Sequence, residues 1–122
     1  MFNFEKLVVW KKGLDLTDCI YSVTRGFPGD ERFGLVTQMR RAAVSVPSNI
    51  AEGSSRSSRV DNARFVEIAT GSVFELVTQA FVAHRQGFLG DEDFRRIYAM
   101  SGDESRMLSG LRAYLLGETT SA

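Results

Sequence analysis

Glu52 and Glu75 come closest to chemistry in this sequence. Each is an acid set among small or apolar neighbours, AEGSS and VFELV, where paired carboxyls could act as general acid and base. Arginines surround them: Arg56 follows Glu52 by four residues, and Arg40 and Arg41 are within reach of Glu75 if the helices run antiparallel. Neighbouring cations hold carboxylates ionised, which suits structural ion pairs better than proton transfer. His84 is the only histidine and Cys19 the only cysteine, so no Cys/His metal set can form, and the Glu-x-x-His helices of di-iron bundles are absent. GFLG before Asp91 is too short for a phosphate loop and lacks its lysine, and no serine has a histidine at helical spacing to activate it. The sequence therefore assigns no catalytic residue, no metal, no cofactor and no small-molecule substrate. The expectation is a protein that is not an enzyme.

Binding is the other chemistry on offer. Arg40, Arg41, Arg56, Arg59 and Arg64 are the candidate contacts to nucleic acid or a protein partner, and GSSRSSR holds the densest local positive charge. Overall charge argues the other way, since 15 Lys and Arg balance 15 Asp and Glu. The two outcomes are a module that binds RNA or a nucleic-acid-associated protein, and a purely structural homo-oligomer without nucleic acid.

The elements that must position these residues are helical. Its 122 residues make one domain, with 1–4 as an N-terminal extension and 117–122 as a flexible tail. A lone cysteine, no leader and no membrane span are read as cytoplasmic. Leu7, Trp10, Leu14, Thr17, Tyr21 and Thr24 step by three and four, which predicts a first helix from about Glu5 to Arg25. The second, from about Asp30 to Ser54, carries a core seam of Val36, Met39, Ala43, Val46 and Ile50. Away from that seam lies a stripe of Gln38, Arg41, Ser45, Asn49, Glu52 and Arg56. Its short central side chains suit a close helical neighbour, with an ordinary solvated face as the alternative. Arg41 and Glu52 are roughly 16 Å apart along the axis. Arg41 or Arg40 is therefore predicted to pair with Glu75, which joins the stripe as a polar interface network. Pro47 predicts a kink, and the carbonyl it frees on Ala43 needs a donor, for which Ser45 and Asn49 are candidates.

Ser58 and Asp61 suit the start of a third helix, about Arg59 to Arg85, and Asp91 caps a fourth from about Glu92 to Leu116. In the third, the predicted core line is Phe65, Ile68, Ala69, Ser72, Leu76, Gln79 and Ala83. A second line of Val66, Val73, Phe74, Val77 and Phe81 runs beside it. A helix this apolar buries two sides, so Val66, Val73, Phe74, Val77 and Phe81 are the candidate oligomer interface. The alternative is that both flanking helices of one bundle share the wide stripe. In the fourth helix, Ser101 to Ser105 interrupts an otherwise apolar seam with Gly102, Asp103 and Glu104, and predicts a loosened turn.

The run PGDERFGLVTQMRRAAVSVPSNIAEGSSR, together with FVEIATGSVFEL and the opening FEKLVVW, resembles the bacterial four-helix bundle family first described from intervening sequences in large-subunit ribosomal RNA genes. The matching positions are Glu31, Arg32, Gln38, Arg40, Arg41, Ser45, Pro47, Asn49, Glu52 and Gly53, then Gly71, Ser72 and Glu75. Members are similar in fold to the accessory protein of diversity-generating retroelements, a pentameric barrel that binds a reverse transcriptase and RNA. The resemblance implies an all-α, up-down-up-down antiparallel four-helix bundle with a proline-kinked second helix, assembling as a ring, a homopentamer. It carries over no catalytic residue. The retroelement relative is strongly basic, whereas this chain is neutral.

Overall fold

A computed structural model describes residues 1–118. Among them are four α-helices and no strand: α1 Val8–Thr24, α2 Leu35–Ser54, α3 Arg59–Arg85 and α4 Asp91–Leu115. Ser45 meets Ser72, and Gly53 packs beside Asn62 and Phe65, so α2 and α3 run antiparallel. Gly13 lies against both Pro47 and Glu104, while Thr17 reaches back to Ala43 and Cys19 to Arg96, so α1 runs antiparallel to α2 and to α4. Glu67 pairs with Arg112 and Phe81 meets Phe94, so α3 runs antiparallel to α4.

The helix starts follow local chemistry. Ser58 accepts the Asp61 N–H at 3.1 Å and caps α3. The predicted start of α2 at Asp30 is corrected: Gly29–Glu31 forms a separate 3-10 turn, and α2 begins after Gly34. There Glu31 reaches forward to accept the Leu35 N–H at 3.4 Å, and the Thr37 hydroxyl donates to the Arg32 carbonyl at 2.6 Å. Similarly, Asn3–Lys6 is a 3-10 turn that precedes α1, and it stacks Phe4 edge-on to Trp10 at 5.1 Å. At the other end Gly117, with φ +69°, turns the chain so that the Glu118 N–H reaches the Ala113 carbonyl. Of the tail expected at 117–122, residues 119–122 lie outside the described residues.

The α2 seam is as expected, with Val36, Met39, Ala43, Val46 and Ile50 all buried. The α1 seam is not. Val9, Gly13, Leu16, Ile20 and Thr24 face the core, while Leu14 and Tyr21 are exposed. The helix is rotated by about one residue from the predicted phase, because Gly13 lets α1 approach Pro47 closely where a larger knob would hold it off. In α3, Val66 and Val73 belong to the chain's own core and Ile68 is exposed. Val66 and Val73 therefore offer no surface to a second copy, a correction to the predicted interface. By length and composition α3 is the one span candidate among the described residues, with an 18-residue stretch of mean hydropathy 1.3, a test that the core helix of a bundle also passes. Its apolarity has a local use, since it packs against both α2 and α4.

The core comes in two apolar halves. One gathers Leu16, Ile20, Met39, Leu76 and Ile97, and the other Val9, Val46, Ile50, Val66 and Leu108. Between them α1 supplies Gly13 and Thr17, α2 the Pro47 ring, α3 Ser72, and α4 Ser101 and Glu104.

Where α2 and α3 cross near their shared turn, a Cβ on Gly53 would sit 2.6 Å from Asn62 Oδ1, 2.9 Å from Phe65 Cβ and 3.0 Å from the Asn62 carbonyl. Gly53→Ala is expected to cost about 1–3 kcal/mol in chemical denaturation despite alanine's better helix propensity. A gain in stability would show that this crossing can relax.

Candidate functional site

Two arrangements carry unusual polar chemistry: a layer inside the bundle and an arginine groove on its surface. In the layer, Pro47 has no N–H to give the Ala43 carbonyl, and Ala43 is fully buried. The donor within reach is the Thr17 hydroxyl of α1, 3.2 Å from that carbonyl, and its single hydrogen is shared with the Gly13 carbonyl at 2.9 Å. Ser45 and Asn49, the predicted donors, are engaged elsewhere. Asn49 Nδ2 donates to the Ser45 carbonyl at 2.8 Å and hydroxyl at 2.9 Å, and the Ser45 and Ser72 hydroxyls hydrogen-bond at 2.8 Å.

On the far side of Gly13 sits Glu104, 1% exposed. Neither of its carboxyl oxygens has a hydrogen-bond partner, and the Ser101 hydroxyl one turn earlier is likewise buried and unpaired. A Cβ on Gly13 would come within 3.1 Å of Glu104 Oε2. Burial, with the charge of Asp15 as a smaller cause, pushes the Glu104 carboxyl up to about 8. The acid in apolar surroundings is thus Glu104. Glu52 and Glu75, the acids expected in that role, are exposed. The polar interruption at Ser101–Ser105 was the sequence signal for it.

The predicted polar network forms only in part. Ser45, Asn49 and Ser72 connect, and Glu75 accepts from Gln79 Nε2 at 3.2 Å. Glu52 pairs with Arg56 at 3.1 Å, as the spacing suggests. Gln38 and Arg41 are exposed, and among the described residues no ion pair joins Arg40 or Arg41 to Glu75. The Ser45–Ser72 contact sets the register that brings Arg41 and Glu75 to one height. Water around two exposed groups removes most of the gain from closing the pair.

The five candidate arginines fall into two groups, about 22 Å apart along α2. Around the α2–α3 turn, Arg56 also lies over the Phe65 ring, Arg59 lies over the Tyr114 ring at 5.0 Å, and Arg64 pairs with Asp61 at 4.0 Å. Arg40 and Arg41 instead line a 480 Å3 groove with Tyr21, Thr37, Val44 and Ser45. Arg40 is held there by Nε donating to Thr24 Oγ1 at 3.0 Å, with its guanidinium over the Tyr21 ring at 4.5 Å. Its orientation is fixed in advance, whereas Arg41 carries no ion pair among the described residues.

The profile of the 23S rRNA-intervening sequence protein family matches residues 5–110. The chain belongs to that family. Among solved structures, it is similar to a protein of unknown function from the S23 ribosomal protein family of Bacteroides thetaiotaomicron VPI-5482. The TM-score is 0.80 at 22% identity, over 86% of this chain and 98% of that one, a likeness of fold. No curated protein matches. Among the described residues, no group of three or more metal-ligating side chains occurs.

Glu104 gives this family member a pH signature with a definite sign. Its folded pKa is raised above the ordinary 4.5, so the folded state holds the proton more tightly than the unfolded chain. The associated stability is full below about pH 4.5, declines by about 1.4 kcal/mol per pH unit as pH rises towards 8, and levels off above. Urea denaturation from pH 5 to 9 should show that decline in the wild type and a nearly flat profile in Glu104→Gln. Equal slopes in both proteins would place the pH dependence elsewhere.

Proposed function

We propose that the chain is a non-enzymatic, self-assembling interaction module. Copies associate through the outer face of α3, with α2 bent at Pro47, and close into a ring that presents the Arg40–Arg41 groove to an anionic partner, RNA or a nucleic-acid-associated protein. The observation that carries this reading is the exposure of Ile68 (51%), Phe74 (63%), Phe81 (45%) and Val82 (45%) on one helix. Burying the roughly half of each side chain still in water is worth about 0.7–1.5 kcal/mol apiece, a sizeable drive towards association when summed over the face. Of the five residues predicted for the interface, Phe74 and Phe81 remain on this face, Val77 is half-buried at its edge, and Val66 and Val73 are core. Gly71 lies on the same face, and a Cβ there would meet nothing of its own chain within 4 Å. A glycine in a helix interior costs about 0.5–1 kcal/mol relative to alanine, and close approach of a second copy accounts for its presence. Five subunits is the number implied by the resemblance to the retroelement accessory protein.

The second reading is a structural ring that binds no nucleic acid. It is favoured by the zero net charge and by the local partners of Arg56, Arg59 and Arg64.

Sedimentation at micromolar concentration tests the shared premise. The wild type should run as an assembly, and Ile68→Glu with Phe74→Glu as a monomer with unchanged helical circular dichroism. A monomeric wild type would overturn the proposal. Filter binding of structured RNA separates the two readings: retention should fall steeply with salt and weaken in Arg40→Ala with Arg41→Ala. No salt-sensitive retention would leave the structural ring.

A further inference from the structure

The polar layer reaches the seam between α1 and α4, where Glu104 lies against Gly13. These two helices share the slimmest interface of the four neighbouring pairs. A 340 Å3 groove runs along that seam, lined by Lys12 and Asp15 from α1 and by Met100, Asp103, Arg106 and Met107 from α4. Glu104 stands between these α4 residues in sequence, yet its side chain turns inward against Gly13.

The charges facing Glu104 are few. From α1 they are Lys12 and Asp15, and from α4 itself Asp103 and Arg106, which pair with each other. At this level α2 brings Pro47 and α3 brings Val73, which lines a groove with Ser101 of α4, and neither titrates. A carboxylate formed in this setting would have at most the unpaired Ser101 hydroxyl as a donor and would face the like charge of Asp15, so it must move to water or draw a cation in. The shortest way out is the α1–α4 groove, where Lys12 waits. Gly102 adds to the ease of movement, because a glycine weakens the turn of α4 that would have to shift.

We propose that Glu104 is the latch of a proton-controlled seam: while its carboxyl is neutral, α4 stays seated on Gly13 and Pro47, and loss of the proton drives the middle turns of α4 away from α1. The opening is local. α2 and α3, joined through Ser45, Ser72 and the tight Gly53 crossing, remain together.

Amide hydrogen exchange on the full chain, corrected for intrinsic rates, tests the latch. Between about pH 5 and 8, protection across the middle of α4 and the facing turns of α1 should fall about tenfold per pH unit, while the α2–α3 core holds. Glu104→Gln should remove the pH dependence. Asp15→Asn, a substitution at an exposed site, should make the fall end at a lower pH, because the carboxylate then loses its like-charged neighbour. The proposal fails if Glu104→Gln keeps the wild-type slope, if Asp15→Asn leaves the end point unmoved, or if protection falls equally in all four helices.

Discussion

Pro47 deletes a hydrogen bond in the middle of α2, and the bundle is arranged around the repair. A buried carbonyl left without a donor costs about 1–3 kcal/mol. Thr17 meets that need from the neighbouring helix, and its reach depends on Gly13, four residues earlier, having no side chain to prop α1 away from the Pro47 ring. One imino acid thus sets the spacing of two helices, the rotation of α1 and the height at which the polar layer cuts the core. The same close approach brings α1 against Glu104 of α4, so a backbone vacancy in α2 and an unpaired acid in α4 share one small region.

That layer divides the work of the two sides of the molecule. The α2–α3 side is closed by hydrogen bonds between short side chains and by direct backbone approach at Gly53, and it resists rearrangement. The α1–α4 side encloses an acid whose oxygens have no partner and a groove lined with charges. Outward from α3 the chain leaves phenylalanine, isoleucine and valine in water, a surface suited to another copy. On the opposite flank of α2, Arg40 is held in place by Thr24 and Tyr21. Rigid side, soft side, apolar face and cationic groove are separate regions of one small bundle.

Much of this was legible in the residues. Helix α3 keeps its predicted bounds because Ser58 is a capping residue with its donor at the right spacing, and the α2 seam holds because five apolar residues repeat without a competitor. In α1 two apolar lines compete. Leu14 and Tyr21 made one of them look stronger, whereas the true seam runs through Gly13, which reads as a gap until its neighbour is known to be a proline ring. The α3 interface was misread in part for a related reason: a helix flanked by two others needs a wide stripe, and Val66 and Val73 fill it. Glu104 announced itself only as a break in a seam. Whether such a break turns outward or is enclosed depends on the register of α1 against α4, which no local pattern encodes. The partnership of Thr17 with Ala43 is likewise a long-range fact, although the need for some donor followed from Pro47 alone.

The most direct measurement is a double-mutant cycle in chemical denaturation between Thr17→Val and Pro47→Ala. Alanine at 47 returns an N–H to the Ala43 carbonyl, so Thr17→Val should cost about 1–3 kcal/mol beside the proline and well under about 1 kcal/mol beside the alanine. An equal cost in both backgrounds would contradict the claim that the bundle is built around the repair at Pro47.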